Sequence, residues 1–248
     1  MNSLIQEADL GGIRRGATVL GVDGCHGGWL AVISRPALPV IARVYGSFAE
    51  LIASVDSTAR IGVDIPMGLP DHGARACELE ARQRLGRARK SSDFPAPPRQ
   101  CLTAQSYEEA CQLRFRIEGK KMSRQAYGIL PKIREVDGYL TRHPETRRRI
   151  AEVHPEVSFA AWCGGNGMSH SKKSAAGKAE RGVLISKEWP GAVERLRVAL
   201  RGQDYVLDDL HDAFAALWST NRWLSGKGVF LGGRERGKRH RSTAEILV

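Results

Sequence analysis

The sequence predicts an α/β fold interrupted by a helical insertion. Three observations carry that prediction. Two short apolar runs, Val19 to Val22 and Ile61 to Val63, each end in an acid, Asp23 and Asp64. Buried central strands that deliver a carboxylate to the rim of a sheet read this way. The first 65 residues follow the order β-β-β-α-β. After His72 the apolar period changes from that of strands to that of helices.

Strands are expected at about 19–24, 28–34 and 40–45, the first two joined by a tight turn through Cys25-His26-Gly27. Ser47 has the place of a helix N-cap, followed by Phe48, Leu51, Ile52 and Val55 at helical spacing. Pro66 ends the next strand just past Asp64. Taken alone, Asp23 serves equally well as a turn residue. His72 to Arg89 reads as a charged helix with Ala76, Leu79, Ala81 and Leu85 on its apolar face. Ser91 to Arg99 carries three prolines and reads as an ordered loop anchored by Phe94. Further helices are expected at about 107–118 and 123–140, the latter bent at Pro131.

Ile150 to Phe159 reads as a strand in which Glu152, His154 and Glu156 share a face, with Pro155 favouring an edge or a strand end. Gly164 to Lys178 is rich in Gly, Ser and Lys and is expected to be mobile. A helix is expected at 188–200. Leu207 to Trp218 forms the last helix, with an acidic first turn that suits its dipole. Asp209 and Asp212 lie three apart on one face, and Ala213, Ala216 and Leu217 form a packing side small enough for close approach to a sheet.

Composition narrows the function classes. The chain has 248 residues, which suits one domain with an insertion or two small ones. No apolar run is long enough to cross a bilayer, and Met1 to Gly16 reads as a loose leader without a signal-peptide core, so a cytoplasmic location is expected. Five scattered cysteines with no CxxC pair suit reduced thiols and provide no zinc site. The net charge of +11 is uneven. Residues 71–150 hold 18 Lys/Arg against 10 Asp/Glu, residues 226–248 hold 6 against 2, and the remainder is near neutral with 14 against 15. Such blocks attract polyanions or simply form a solvated basic surface.

Six segments in order, GVDGCHGGW, IGVDIPMGLP, SSDFPAPPR, KIREVD, EVHPEVSF and DDLHDAFAALW, resemble the DUF429 family of predicted nucleases in the ribonuclease H-like superfamily. The resemblance implies a ribonuclease H-like mixed sheet flanked by helices over residues 17–225, interrupted by the basic insertion at about 71–150 and followed by a basic tail, 226–248. It also implies a carboxylate site. The superfamily's first acid matches Asp23 and its second matches Asp64. Its last acids match Asp209 and Asp212 in an Asp-x-x-Asp-Ala segment similar to that of RuvC-type resolvases. The extra acid that many ribonucleases H place on their first core helix has only Glu50 as a counterpart there; Glu156 is a candidate for that position that no motif of the superfamily demands.

Converging carboxylates need a counter-charge, and hard divalent cations with oxygen ligands supply it. The expectation is therefore two Mg²⁺ or Mn²⁺ ions held by Asp23, Asp64, Asp209 and Asp212, acting on a nucleic-acid phosphodiester. His154 and His211 are candidate proton carriers or structural residues. Arg99, Lys172 and Lys173 are the candidate phosphate contacts, with Arg99 equally able to cap a helix or pair with an acid. Trp29 and Trp162 read as core. The competing readings are a phosphotransferase or ATPase of the actin and sugar-kinase type and a nucleic-acid-binding module without catalysis. The former needs a second Asp-x-Gly loop, and Gly164-Gly165-Asn166-Gly167 lacks the acid.

Overall fold

The computed structural model describes residues 16–85, 95–165, 167–232 and 244–248. Phe94, Asn166, the leader up to residue 15 and most of the basic tail lie outside these residues. Three antiparallel strands open the chain: β1 (Val19–Cys25), β2 (Gly28–Ser34) and β3 (Ile41–Tyr45). Helix α1 (Phe48–Ala53) follows, capped by the Ser47 hydroxyl, which accepts from the Glu50 amide. Strand β4 (Arg60–Val63) then returns parallel to β1.

The insertion contributes α2 (Ala76–Leu85), a 3₁₀ turn at Arg99–Thr103, α3 (Tyr107–Glu118), α4 (Arg124–Gly128), α5 (Leu130–Arg142) and a second 3₁₀ turn at Pro144–Arg149. The break between α4 and α5 falls at Ile129, so Pro131 sits in the first turn of a new helix instead of bending a long one. Proline tolerates that position because a first-turn amide has no helical acceptor to lose. Strand β5 (Ile150–Val153) resumes the sheet beside β4.

Three sequence expectations change downstream. The strand ends at Val153, and Pro155 opens helix α6 (Pro155–Trp162), so Glu152 and Glu156 belong to different elements and share no strand face. The Gly/Ser/Lys-rich stretch becomes helical from Ala175, where α7 (Ala175–Glu188) starts on the Ser174 cap; α8 is confined to Ala192–Ala199 because Pro190-Gly191 separates the two. After α9 (Leu207–Leu224) the chain is not only a tail. Strands β6 (Phe230–Leu231) and β7 (Ile246–Leu247) pair with each other, and β7 adds parallel to β5.

The result is a seven-stranded mixed sheet in the order β3-β2-β1-β4-β5-β7-β6, flanked by helices, an α/β arrangement consistent with the ribonuclease H-like one that the resemblance implied. Alternation along β1 and β4 divides the core. Leu20, Val22, Ile61 and Val63 face one layer, with Phe48, Leu51 and Ile52 of α1 and Ile133, Val136 and Leu140 of α5. Val19 and Cys25 face the other layer, with Leu210, Ala213, Phe214 and Leu217 of α9. Trp29 is fully buried, as expected, and its indole N–H donates to Glu135 at 2.9 Å. No helix among the described residues is long and apolar enough to cross a membrane.

Candidate metal centre

Two glycines set the geometry of the site. Gly21 and Gly62 are register partners across the parallel β1–β4 pair, and each lies two residues before an acid. Period-two alternation puts Gly21 and Asp23 on one face of β1, and Gly62 and Asp64 on the same face at the end of β4. A side chain at Gly21 would bring its Cβ to 2.0 Å from the Leu217 amide nitrogen and 2.1 Å from the Ala213 carbonyl. One at Gly62 would meet the Thr220 hydroxyl at 2.2 Å. Helix α9 therefore lies directly on bare backbone, with Ala213 and Ala216 fully buried against the sheet. Its preceding turn carries Asp212 over the strand ends.

Asp64 continues the parallel pairing through its amide, which donates to the Val22 carbonyl at 2.8 Å. The two strand acids thus emerge side by side. Oxygens of Asp23, Asp64 and Asp212 all lie within 4.8 Å of one another. Asp23 and Asp212 are only 9% and 3% exposed. Asp23 Oδ1 accepts from the Gly24 amide at 2.7 Å. Asp212 Oδ2 accepts from the Lys172 ammonium at 2.7 Å, while its Oδ1 is buried with no hydrogen-bond partner.

The electrostatics follow from burial and crowding. Burial first, then the charges of Asp64, Asp212 and Asp209, hold the Asp23 carboxyl well above the ordinary range, against an opposing pull from Lys172. Burial and Asp212 push Asp64 up to about 8. Burial raises Asp212 as well, although Lys172 offsets part of the effect. Lys172 is raised too, which in its case favours the charged form. Burial would lower it, yet Asp212, Asp64 and Asp23 together raise it above the ordinary lysine value. Three carboxylates facing one ammonium form a site that favours added positive charge. An all-carboxylate donor set suits a hard divalent cation such as Mg²⁺ or Mn²⁺, and the unpartnered Asp212 Oδ1 is an oxygen without another role.

The other acids of the region are committed elsewhere. Asp209 Oδ2 accepts from the Val206 amide at 2.9 Å and closes the first turn of α9. It stands one turn from Asp212 and acts on Asp23 only as a nearby charge. Glu156 pairs with the buried Arg181, so it does not join the three aspartates. Glu152 accepts both Nη groups of Arg75, at 2.6 and 2.7 Å, and the Met67 amide at 2.7 Å.

A cleft of about 570 Å³ opens over the acids. Asp23, Gly24 and Asp64 form its floor, Gln125, Ile129 and Lys132 of the insertion form one wall, and Ser171, Lys172 and Lys173 form another. The insertion thus stands beside the acids. Of the predicted phosphate contacts, Lys172 and Lys173 line the cleft and Arg99 does not. Arg99 makes a two-pronged pair with Asp137 at 2.7 and 2.8 Å, the alternative its sequence context left open. His154 lines the cleft. His211 is buried on the α7 side of α9, where burial lowers it to about 4 and keeps it neutral.

Sequence reasoning missed Lys132, Arg75 and Arg181. Lys132 donates to the Gly28 carbonyl, lies over the Trp29 ring at 4.7 Å and packs on Gly24, so it belongs to the cleft although α5 is remote in sequence. No local pattern marks such residues. The glycine two places before each acid was a visible signal of close helix approach.

No curated protein and no solved structure matches the chain significantly. A family model described as "Protein of unknown function (DUF429)" matches residues 21–236, which run from the glycine under α9 past the cleft and into the last part of the sheet, and the chain belongs to that family.

Proposed function

We propose that the protein is a divalent-metal-dependent nuclease or phosphodiesterase acting on nucleic acid. The observation that carries this reading is the convergence of Asp23, Asp64 and Asp212 within 4.8 Å, with Asp23 and Asp64 lining a cleft that lysines also line. Asp23, Asp64 and the free oxygen of Asp212 would hold the cation. When bound, such a cation supplies Lewis-acid polarisation of a phosphoryl group and charge stabilisation of the departing oxygen. Lys173, exposed at the rim, attracts the anionic backbone. Lys132, anchored on Gly28 and Trp29, places a cation in the wall of the cleft. The wall of α4 and α5 narrows access of water to the floor. His211, held neutral by burial, does not line the cleft.

The test is cleavage of fluorogenic DNA and RNA oligonucleotides with Mn²⁺ and with chelator, alongside ATP turnover. Cleavage is expected only with metal, and Asp64→Asn should lower it by about 100-fold or more, the scale on which removing one transition-state charge contact acts. Metal-dependent ATP turnover without cleavage would favour phosphoryl transfer instead. Absence of both overturns the proposal.

A further inference from the structure

We infer that the centre takes a single divalent cation, with Lys172 filling the electrostatic place of a second. The inference rests on the metal-dependent reading above and narrows it. Three aspartates meet, and one of them already holds an ammonium at 2.7 Å. With all three carboxylates ionised, as ligands to a cation must be, three negative charges and one positive leave a deficit of two, which one divalent ion satisfies. The two oxygens of Asp212 divide the work. Oδ2 faces Lys172, and the buried Oδ1, which has no partner, remains for the ion with Asp23 and Asp64.

A second ion would need further ligands. Glu156 is paired with Arg181 and Glu152 with Arg75, and Asp209 lies outside the group of aspartates that converge. Hard divalent cations bind through several oxygens, so a second position built on Asp23 or Asp64 alone is underprovided.

Lys172 is also delivered by a strapped loop. The Ser169 and His170 amides donate to Glu180 at 2.8 and 3.0 Å. Arg181 Nη1 donates to the His170 carbonyl at 3.3 Å and the Gly177 carbonyl at 3.0 Å. A Cβ on Gly177 would fall 1.9 Å from the Ser171 carbonyl, so the loop sits flush on the first turn of α7. Arg181 reaches Glu156 as well, which ties the loop to α6 at the edge of the cleft. The backbone that carries Lys172 is thus held in place on α7.

The experiment is an Mn²⁺ titration of the full chain, reading free Mn²⁺ by its EPR signal, for the wild type, Lys172→Gln and Lys172→Arg. Thermal melts confirm that each variant is folded. The wild type and Lys172→Arg should bind one ion per chain. Lys172→Gln, which frees Asp212 Oδ2 as a further ligand and leaves its charge uncompensated, should bind two. Two ions in the wild type, or one in Lys172→Gln, overturn the inference and leave metal-dependent cleavage standing. No binding in the wild type overturns both.

Discussion

The cleft contains two kinds of buried acid, and their partners differ. Glu152 and Glu156 each meet a buried arginine, Glu152 the Arg75 that it shares with Glu78 and Glu156 the Arg181 of α7. Asp23, Asp64 and Asp212 share one lysine. A carboxylate hydrogen-bonded by a buried guanidinium is held in the fold by that geometry and by the cation beside it. A group of carboxylates short of positive charge strains the metal-free fold and is relieved only by a further cation. The difference separates the acids that build the walls from the acids that form the floor.

The largest expected effect comes from breaking a wall pair. Arg181→Met removes the charge that compensates Glu156 and the donors to His170 and Gly177. Stranding a buried carboxylate costs about 3–5 kcal/mol, read as a loss of unfolding free energy in urea. A loss below about 1 kcal/mol would put Glu156 with the floor acids.

Gly21→Ala tests the approach of α9. A Cβ at 2.0 Å from backbone nitrogen forces the helix off β1, and overpacking of this kind costs about 1–3 kcal/mol. Because Asp212 rides on that helix, Mn²⁺ affinity should fall as well. Unchanged affinity would mean that Asp212 is not part of the centre.

The smallest effect has the opposite sign. Asp23→Asn removes one of the crowded charges and should stabilise the chelated protein by about 1 kcal/mol, the scale of a one-unit pKa change. It should also abolish the extra melting stability that Mn²⁺ gives the wild type. The pH dependence follows from the same crowding. Asp64 titrates near 8 in the folded chain and near 3.8 when unfolded, so the folded state binds more protons between those values. Stability of the metal-free wild type is therefore fullest below about pH 4 as far as this group is concerned, and it falls as pH rises toward 8. Asp64→Asn should flatten that decline. Glu156→Gln should destabilise instead of stabilise, because Arg181 would lose its counter-charge.

Much of this architecture is local information. The apolar runs ending in Asp23 and Asp64, the Ser47 cap, the helix at 107–118 and the acidic start of α9 are written in period and punctuation, which depend on near neighbours. Pro155 shows where such reading fails. Proline ends a strand or opens a helix with equal ease, and only the packing of Val157 and Phe159 under the sheet selected the helix. The short strands β6 and β7 were invisible for a related reason. Two-residue strands have no period, and they exist because β5 offers an edge.

The sequence by itself determined which acids end the central strands and that Asp209 and Asp212 share a helical face. Tertiary structure decided which acids meet. Asp212 joins Asp23 and Asp64 because α9 crosses bare backbone at Gly21 and Gly62, whereas Asp209, one turn earlier, closes the start of its own helix. Likewise Lys172 and Arg99 are both cations on irregular segments, but only Lys172 reaches the floor. Arg99 is met first by Asp137, a partner 38 residues away that no local spacing reveals. Charge compensation is a property of distances between remote segments, and those distances are set when the helices pack on the sheet.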